Sequence, residues 1–219
     1  MTDPQDMTLD ELRAALAERL PQEAAFDGWS EKALDAAAQS LGVPADRARL
    51  AFAGGAGQMV DAWFANIDRH MADQLPPETL TQMRIRDRIT ALVLARLAAM
   101  APHREALRRA LAVLAMPHHV AMATALGWRA ADAMWRLAGD NSTGFAHYTK
   151  RMTLIGVYGS TLLVFIDDQS EDYAETRAFL DRRIDDVMKF EKFKAQLKPD
   201  PDHHFSLARF LGRLRYPSR

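Results

Sequence analysis

Cysteine is absent from this 219-residue chain, which removes disulfide frameworks, thiolate metal sites and cysteine nucleophiles together. That absence fits a reducing compartment. Long apolar runs are missing as well. The longest charge-free stretches are residues 110–128, interrupted by Pro117-His118-His119, and residues 152–166, and neither supplies the ~20 continuous apolar residues of a membrane-spanning helix. The start, Met1-Thr2-Asp3-Pro4-Gln5-Asp6, lacks the basic opening of a secretory signal and the arginine-rich pattern of an organelle transit peptide. A cytoplasmic protein is expected. Also missing are an HExxH helix, paired Glu-x-x-His motifs, a phosphate loop and a nucleophile elbow, so the chain reads as a non-enzyme without metal or cofactor.

What is present is helical. Leu9, Leu12, Leu16 and Leu20, then Val60, Trp63, Phe64, Ile67 and Met71, then Ile85, Ile89, Leu92, Val93 and Leu97 recur at helical spacing. Thr8 with Glu11 forms a capping box, Ser30 and Ser170 are N-cap candidates, and Pro77 and Pro102 suit first turns. The expected fold is all-α, with nine or ten helices and no sheet. Charge is uneven: residues 1–75 hold 6 Lys/Arg and 13 Asp/Glu, residues 76–219 hold 22 and 16. An acidic front is poorly suited to nucleic acid.

The titratable groups form no obvious site. His118 and His119 point about 100° apart on a helix, which favours a structural or capping role over a shared metal. His203 and His204 sit in a solvated linker. Gly54-Gly55-Ala56-Gly57 lacks a phosphate-loop lysine and a preceding strand, so it breaks a helix. Asp167-Asp168 complement the helix start near Ser170, and Asp185-Asp186 read as a solvated face. The helix expected over residues 142–167 is apolar almost all round, which predicts burial on every face, with a homodimer built from it and from a helix over residues 170–197.

After the linker Lys198-Pro199-Asp200-Pro201-Asp202, the residues Phe205, Leu207, Phe210, Leu211 and Leu214 make an apolar stripe beside Arg209, Arg213, Arg215 and Arg219. A helix of this kind packs on the body or lies in a membrane interface. The proline linker favours the second, on an anionic surface at the inner face of the membrane.

The most informative stretch is residues 134–151, M-W-R-L-A-G-D-N-S-T-G-F-A-H-Y-T-K-R. Gly139 suits a left-handed helix stop, and Asn141 or Ser142 suits the next N-cap. The pattern A-G-D-x-S-T-x-F-x-x-Y-T-K/R-R after Met-Trp resembles the signature of the Coq-nine family of ubiquinone (coenzyme Q) biosynthesis accessory proteins. Gly28-Trp29-Ser30, Ala37-Ala38-Gln39-Ser40-Leu41-Gly42, Leu114-Ala115-Met116-Pro117-His118, and Phe179-Leu180 with Arg183 and Asp185 fall in the same order. The likeness covers roughly residues 24–190 and a family-like tail.

The resemblance implies a TetR-like bundle: residues 1–75 a helix-turn-helix-like subdomain, 76–198 a ligand-binding and dimerisation bundle, and 203–216 an amphipathic tail. It further implies an isoprenoid quinone-type lipid in the bundle, with Leu92, Leu97, Met116, Trp135, Met152, Ile155 and Tyr158 as candidate lining. Its implied partner is a di-iron quinone hydroxylase, met by a patch matched here at Met134, His147, Tyr148 and Arg151. Relatives carry an acid where Gly144 stands and tryptophan where His147 stands, so an aromatic anchor is missing from that position. The alternative is a TetR-type transcriptional regulator sensing a lipid. Arg47 and Arg49 lie in its recognition helix, residues 44–52, within the acidic half.

Overall fold

A computed structural model describes residues 6–196, with side chains through Lys189. Among the described residues there are ten α-helices and no strands: α1 Leu9–Asp27, α2 Glu31–Ser40, α3 Ala45–Ala51, α4 Gly55–Gln74, α5 Pro77–Thr81, α6 Ile85–Met100, α7 Arg104–Leu114, α8 Val120–Leu137, α9 Gly144–Asp167 and α10 Ala174–Gln196. The chain separates into two compact units, Met1–Asp181 and Arg182–Arg219. Of the second, the described residues are the later part of α10, where Arg183 pairs with Asp186. No single helix among the described residues is long and apolar enough to cross a membrane.

The local signals act as their chemistry dictates. The Thr8 backbone N–H donates to Glu11 Oε2 at 2.8 Å while Glu11 N–H donates to Thr8 Oγ1 at 3.3 Å, a reciprocal cap on α1. Ser30 Oγ accepts from Ala33 N–H at the start of α2, and Pro77 opens α5. At α10 the cap is shared. Ser170 Oγ accepts from Glu175 N–H, but the buried Asp168 carboxylate accepts from both the backbone and the hydroxyl of Thr176.

α1 lies at the heart of the first unit, burying Leu12, Leu16, Leu20 and Ala24 against α2, α4 and α7. Trp29, in the turn after α1, ties the helix-turn-helix-like front to the bundle. Its ring packs 5.3 Å from Trp63 on α4, and its Nε1–H donates to Ala106 O on α7. At Gly57 a Cβ would meet Met122 at 3.0 Å and His119 Nε2 at 3.1 Å. The glycine therefore sets how closely α4 approaches the start of α8.

Within one chain the cover of α9 is one-sided. α9 is not buried on every face: Leu154, Val157, Tyr158, Leu162, Phe165 and Ile166 are covered, while Phe145, Met152 and Leu163 are 84%, 60% and 65% exposed. The chain packs α8, α7 and α6 against one side of α9, and its apolar composition does not specify a cover for the other. Gly156 and Gly159 have open space above them, which leaves a shallow waist between the bulky ends of this stripe.

Candidate functional site

The corner between α8 and α9 is built on buried charge. Gly139 ends α8 with φ 86°, and a Cβ there would lie 3.3 Å from Arg88 Nη1. Arg88 uses that gap to donate to Ala138 O at 2.7 Å, and it also holds Met83 O and Thr81 O. The following turn is organised by Asp140, whose oxygens accept from Ser142 N–H and Oγ–H, Lys150 Nζ and Arg151 Nη1. This corrects the expected N-cap: neither Asn141 nor Ser142 caps α9, whose N-cap Thr143 makes no side-chain bond. The shorter path from Asp140 captures Ser142 first.

Arg151, 2% exposed, donates to Asp132 Oδ1 at 2.6 Å, to Asp140 Oδ2 at 3.3 Å and to His147 O. Burial pushes the Asp140 carboxyl upward, but hydrogen bonds from Lys150 and Ser142 and the lysine charge outweigh it and hold its pKa down to about 2. Trp135 Nε1–H donates to Lys150 O, and Lys150 Nζ sits 5.3 Å over the Trp135 ring. These ties lock the two helices.

Over this scaffold lies an aromatic cluster that the sequence reading did not assemble. Trp128, His147 and Tyr148 stand with ring centroids 6.2, 5.8 and 5.3 Å apart. Of the four patch residues expected, Met134 and Arg151 are buried beneath the surface, His147 is half-buried and Tyr148 is 60% exposed. The spacing of Trp128 to Trp135, seven residues and two turns, was the available signal for the added ring.

The bundle interior is crossed by a second ionic strut. Arg96, 2% exposed, donates through Nε to Tyr158 Oη at 3.1 Å and through Nη1 to Asp68. Arg129 reaches Asp68 at 3.2 Å and Asp61 at 2.5 Å. Asp61 and Asp68 lie seven apart on α4, a spacing that placed them on one face.

The residues expected to line a lipid site are dispersed among these features. Leu92 and Leu97 are core, Tyr158 is bound to Arg96, Trp135 is half-buried at the corner, and Ile155 packs 3.5 Å from where a Cβ at Gly127 would be. Met116 and Met152 are exposed. An open groove of about 470 Å³ runs along α6 beside Arg84, Arg86, Asp87, Thr90 and Leu94; none of the seven lines it.

His119 Nδ1 lies 2.9 Å from Val113 O, so it donates there and serves the end of α7. No three His, Asp or Glu among the described residues could hold a metal ion. On α3, Arg47 donates to Met7 O at 2.6 Å and Arg49 pairs with Asp35 at 2.5 Å. Phe205, Leu207, Arg209, Phe210, Leu211, Arg213 and Leu214, and with them His203 and His204, lie outside the described residues.

A helix-turn-helix-like front joined through a long α4 to a helical bundle defines the TetR-like fold. A crystal structure described as the TetR transcriptional regulator from Nitrosomonas europaea matches it with a TM-score of 0.65 at 24% identity, covering 81% of this chain and 98% of that one. Residues 120–191 match the COQ9 family; that segment contains the whole α8–α9 corner. The chain is 32% identical over 182 residues to the rat protein named ubiquinone biosynthesis protein COQ9, mitochondrial, covering 78% of this chain and 57% of that protein. The human protein of the same name is 30% identical over 78% of this chain and 56% of its own length. The Drosophila melanogaster relative is 26% identical over 89% and 60%. The chain thus spans a little over half the length of these relatives.

Proposed function

We propose that this protein is a non-catalytic, lipid-binding accessory factor of ubiquinone biosynthesis. In this reading it takes an isoprenoid quinone intermediate from the membrane and presents it to a di-iron hydroxylase. The observation that carries the proposal is the likeness to proteins named for ubiquinone biosynthesis across 78% of the chain, which includes the α8–α9 corner. Residues 1–75 act as a helix-turn-helix-like front, 76–198 as the lipid-binding and dimerisation bundle, and 203–216 as the tail that touches an anionic bilayer from the cytoplasmic side.

An isoprenoid chain offers a protein only dispersion and area burial, so its site needs apolar lining rather than a polar constellation. Leu92, Leu97, Trp135, Ile155 and Tyr158 supply such lining once the helices part, and Met116 and Met152 supply adaptable thioethers at the surface. The exposed α9 stripe at Phe145, Met152 and Leu163 suits a second copy of the chain. Commitment of Arg47 and Arg49 to Met7 and Asp35 weighs against the transcriptional-regulator reading, because base or phosphate contacts require free guanidinium donors.

The test is turnover of the di-iron hydroxylase on a demethoxy quinone held in vesicles. Adding the full chain is expected to raise the rate at limiting substrate. An unchanged rate, at concentrations where both proteins bind the vesicles, contradicts the presentation role.

A further inference from the structure

We propose that the turn between α7 and α8 holds a soft-metal site, in which His119 Nε2 and Met122 Sδ bind a copper(I) ion with His118 as the third ligand. The site is independent of the lipid and partner roles above. The two nitrogens of His119 differ in their surroundings. Nδ1 lies 2.9 Å from Val113 O at the end of α7, so it carries the proton and leaves the lone pair on Nε2. A backbone carbonyl on the far nitrogen is the usual way a ligating imidazole is oriented. Nε2 itself has no hydrogen-bond partner among the described residues. It reaches Gly57 on α4, where the position of a Cβ would be 3.1 Å from Nε2 and 3.0 Å from Met122 Sδ. An imidazole nitrogen and a thioether sulfur thus flank one space that only glycine leaves open.

Adjacent side chains on a helix diverge by about 100°, yet the 3₁₀ turn Pro117–His119 leaves the His118 and His119 rings 4.1 Å apart between centroids and tilted by 51°. His118 is exposed and makes no hydrogen bond among the described residues, so its ring is available to the same ion. The donor chemistry selects which ion. Residues 110–128 contain no Asp, Glu, Lys or Arg, and the donors are two imidazoles and a thioether, none of them an anion. Calcium and magnesium require oxygen ligands, and structural zinc requires four nitrogen, oxygen or thiolate donors. Thioether sulfur beside imidazole is the set that favours copper(I). A monovalent ion also brings the smaller charge to the half-buried His119 and Met122, where no carboxylate of this segment offsets it. The unbranched Met122 side chain adapts its terminal torsion to the ion.

The test titrates the untagged full chain, without oxygen and under reducing conditions, with copper(I) supplied as its bicinchoninate complex. The wild-type chain is expected to withdraw one equivalent and to gain in Tm as it loads. Loss of even an outer partner lowers metal affinity ~10–100-fold. Met122→Leu, which keeps the apolar volume, should therefore weaken binding at least about tenfold, and His119→Ala should weaken it further. Gly57→Ala, which sets a methyl group between the donors while leaving every ligand in place, should weaken it as Met122→Leu does. Silver(I), a redox-inert stand-in, should shift the Met122 methyl and His119 Cε1 resonances together in NMR spectra. No uptake by the wild-type chain overturns the site. Uptake that persists in full in Met122→Leu and Gly57→Ala arises elsewhere, His203 and His204 included, and overturns it as well. Zinc binding as tight as that of copper(I) refutes the soft-ligand assignment. Circular dichroism accompanies each variant. If His119→Ala loses its bond to Val113 O and unfolds, Met122→Leu decides the matter.

Discussion

Replacing Asp140 by Asn keeps the shape of the α8–α9 turn and removes its charge. In the wild-type protein that carboxylate is 3% exposed and receives Lys150 Nζ at 2.6 Å, Arg151 Nη1 at 3.3 Å and the Ser142 hydroxyl at 2.7 Å. Its pKa falls from 3.8 to about 2, and at 1.36 kcal/mol per unit the ionised form contributes about 2 kcal/mol to folding. Breaking a buried pair outright costs more, ~3–5 kcal/mol, but Arg151 retains Asp132 at 2.6 Å and Lys150 is 41% exposed and returns to water. Asp140→Asn should therefore lose about 2 kcal/mol at pH 7, or a fall in Tm of about 4–8 °C for a domain of this size. Because the folded-state pKa is depressed, this stability is complete above the unfolded value near 4 and disappears as pH drops toward 2. The wild-type advantage over Asp140→Asn, measured by urea unfolding at each pH, should close across that window. A difference below about 0.5 kcal/mol at pH 7, or one that persists unchanged at pH 2, refutes the assignment of Asp140 as the keystone of the corner.

Gly139→Ala should destabilise by about 1–2 kcal/mol, since φ 86° is strained for any Cβ and Arg88 Nη1 stands 3.3 Å from it; equilibrium unfolding of the variant checks this. Leu163→Glu, placing a charge on the exposed α9 stripe, should convert a dimer into a monomer by solution mass without lowering helical content. For the tail, Phe210→Asp should abolish co-sedimentation with anionic vesicles. Arg213→Glu should weaken it chiefly at low salt, where attraction is least screened.

Much of the fold was legible because it is written locally. The Thr8–Glu11 box, the Ser30 cap and the left-handed Gly139 each depend on residues within a turn of one another, and all form. The helix-turn-helix-like front was expected from the family resemblance rather than from these short-range signals. Long-range choices were less legible. Composition marks α9 as apolar but is silent on which side its own chain covers, and the glycines at 156 and 159, which thin the uncovered face, looked neutral in sequence. Arg96 reaches Asp68 across 28 residues and Tyr158 across 62, a pairing that no periodicity encodes. Arg151 stands out in its motif as a partner contact, but the motif does not show that a guanidinium flanked by two acids on neighbouring elements is drawn inward. Trp128 escaped notice because it lies outside the motif and gains its neighbours only when α8 and α9 pack.

The central claim is that the bundle carries a quinone-type lipid. Mass spectrometry of an organic extract of the purified full chain tests it most directly, with thermal denaturation after adding back a demethoxy quinone. The account predicts an isoprenoid quinone intermediate in the extract and a rise in Tm on addition. An extract free of isoprenoid lipid, together with an unmoved Tm, contradicts it.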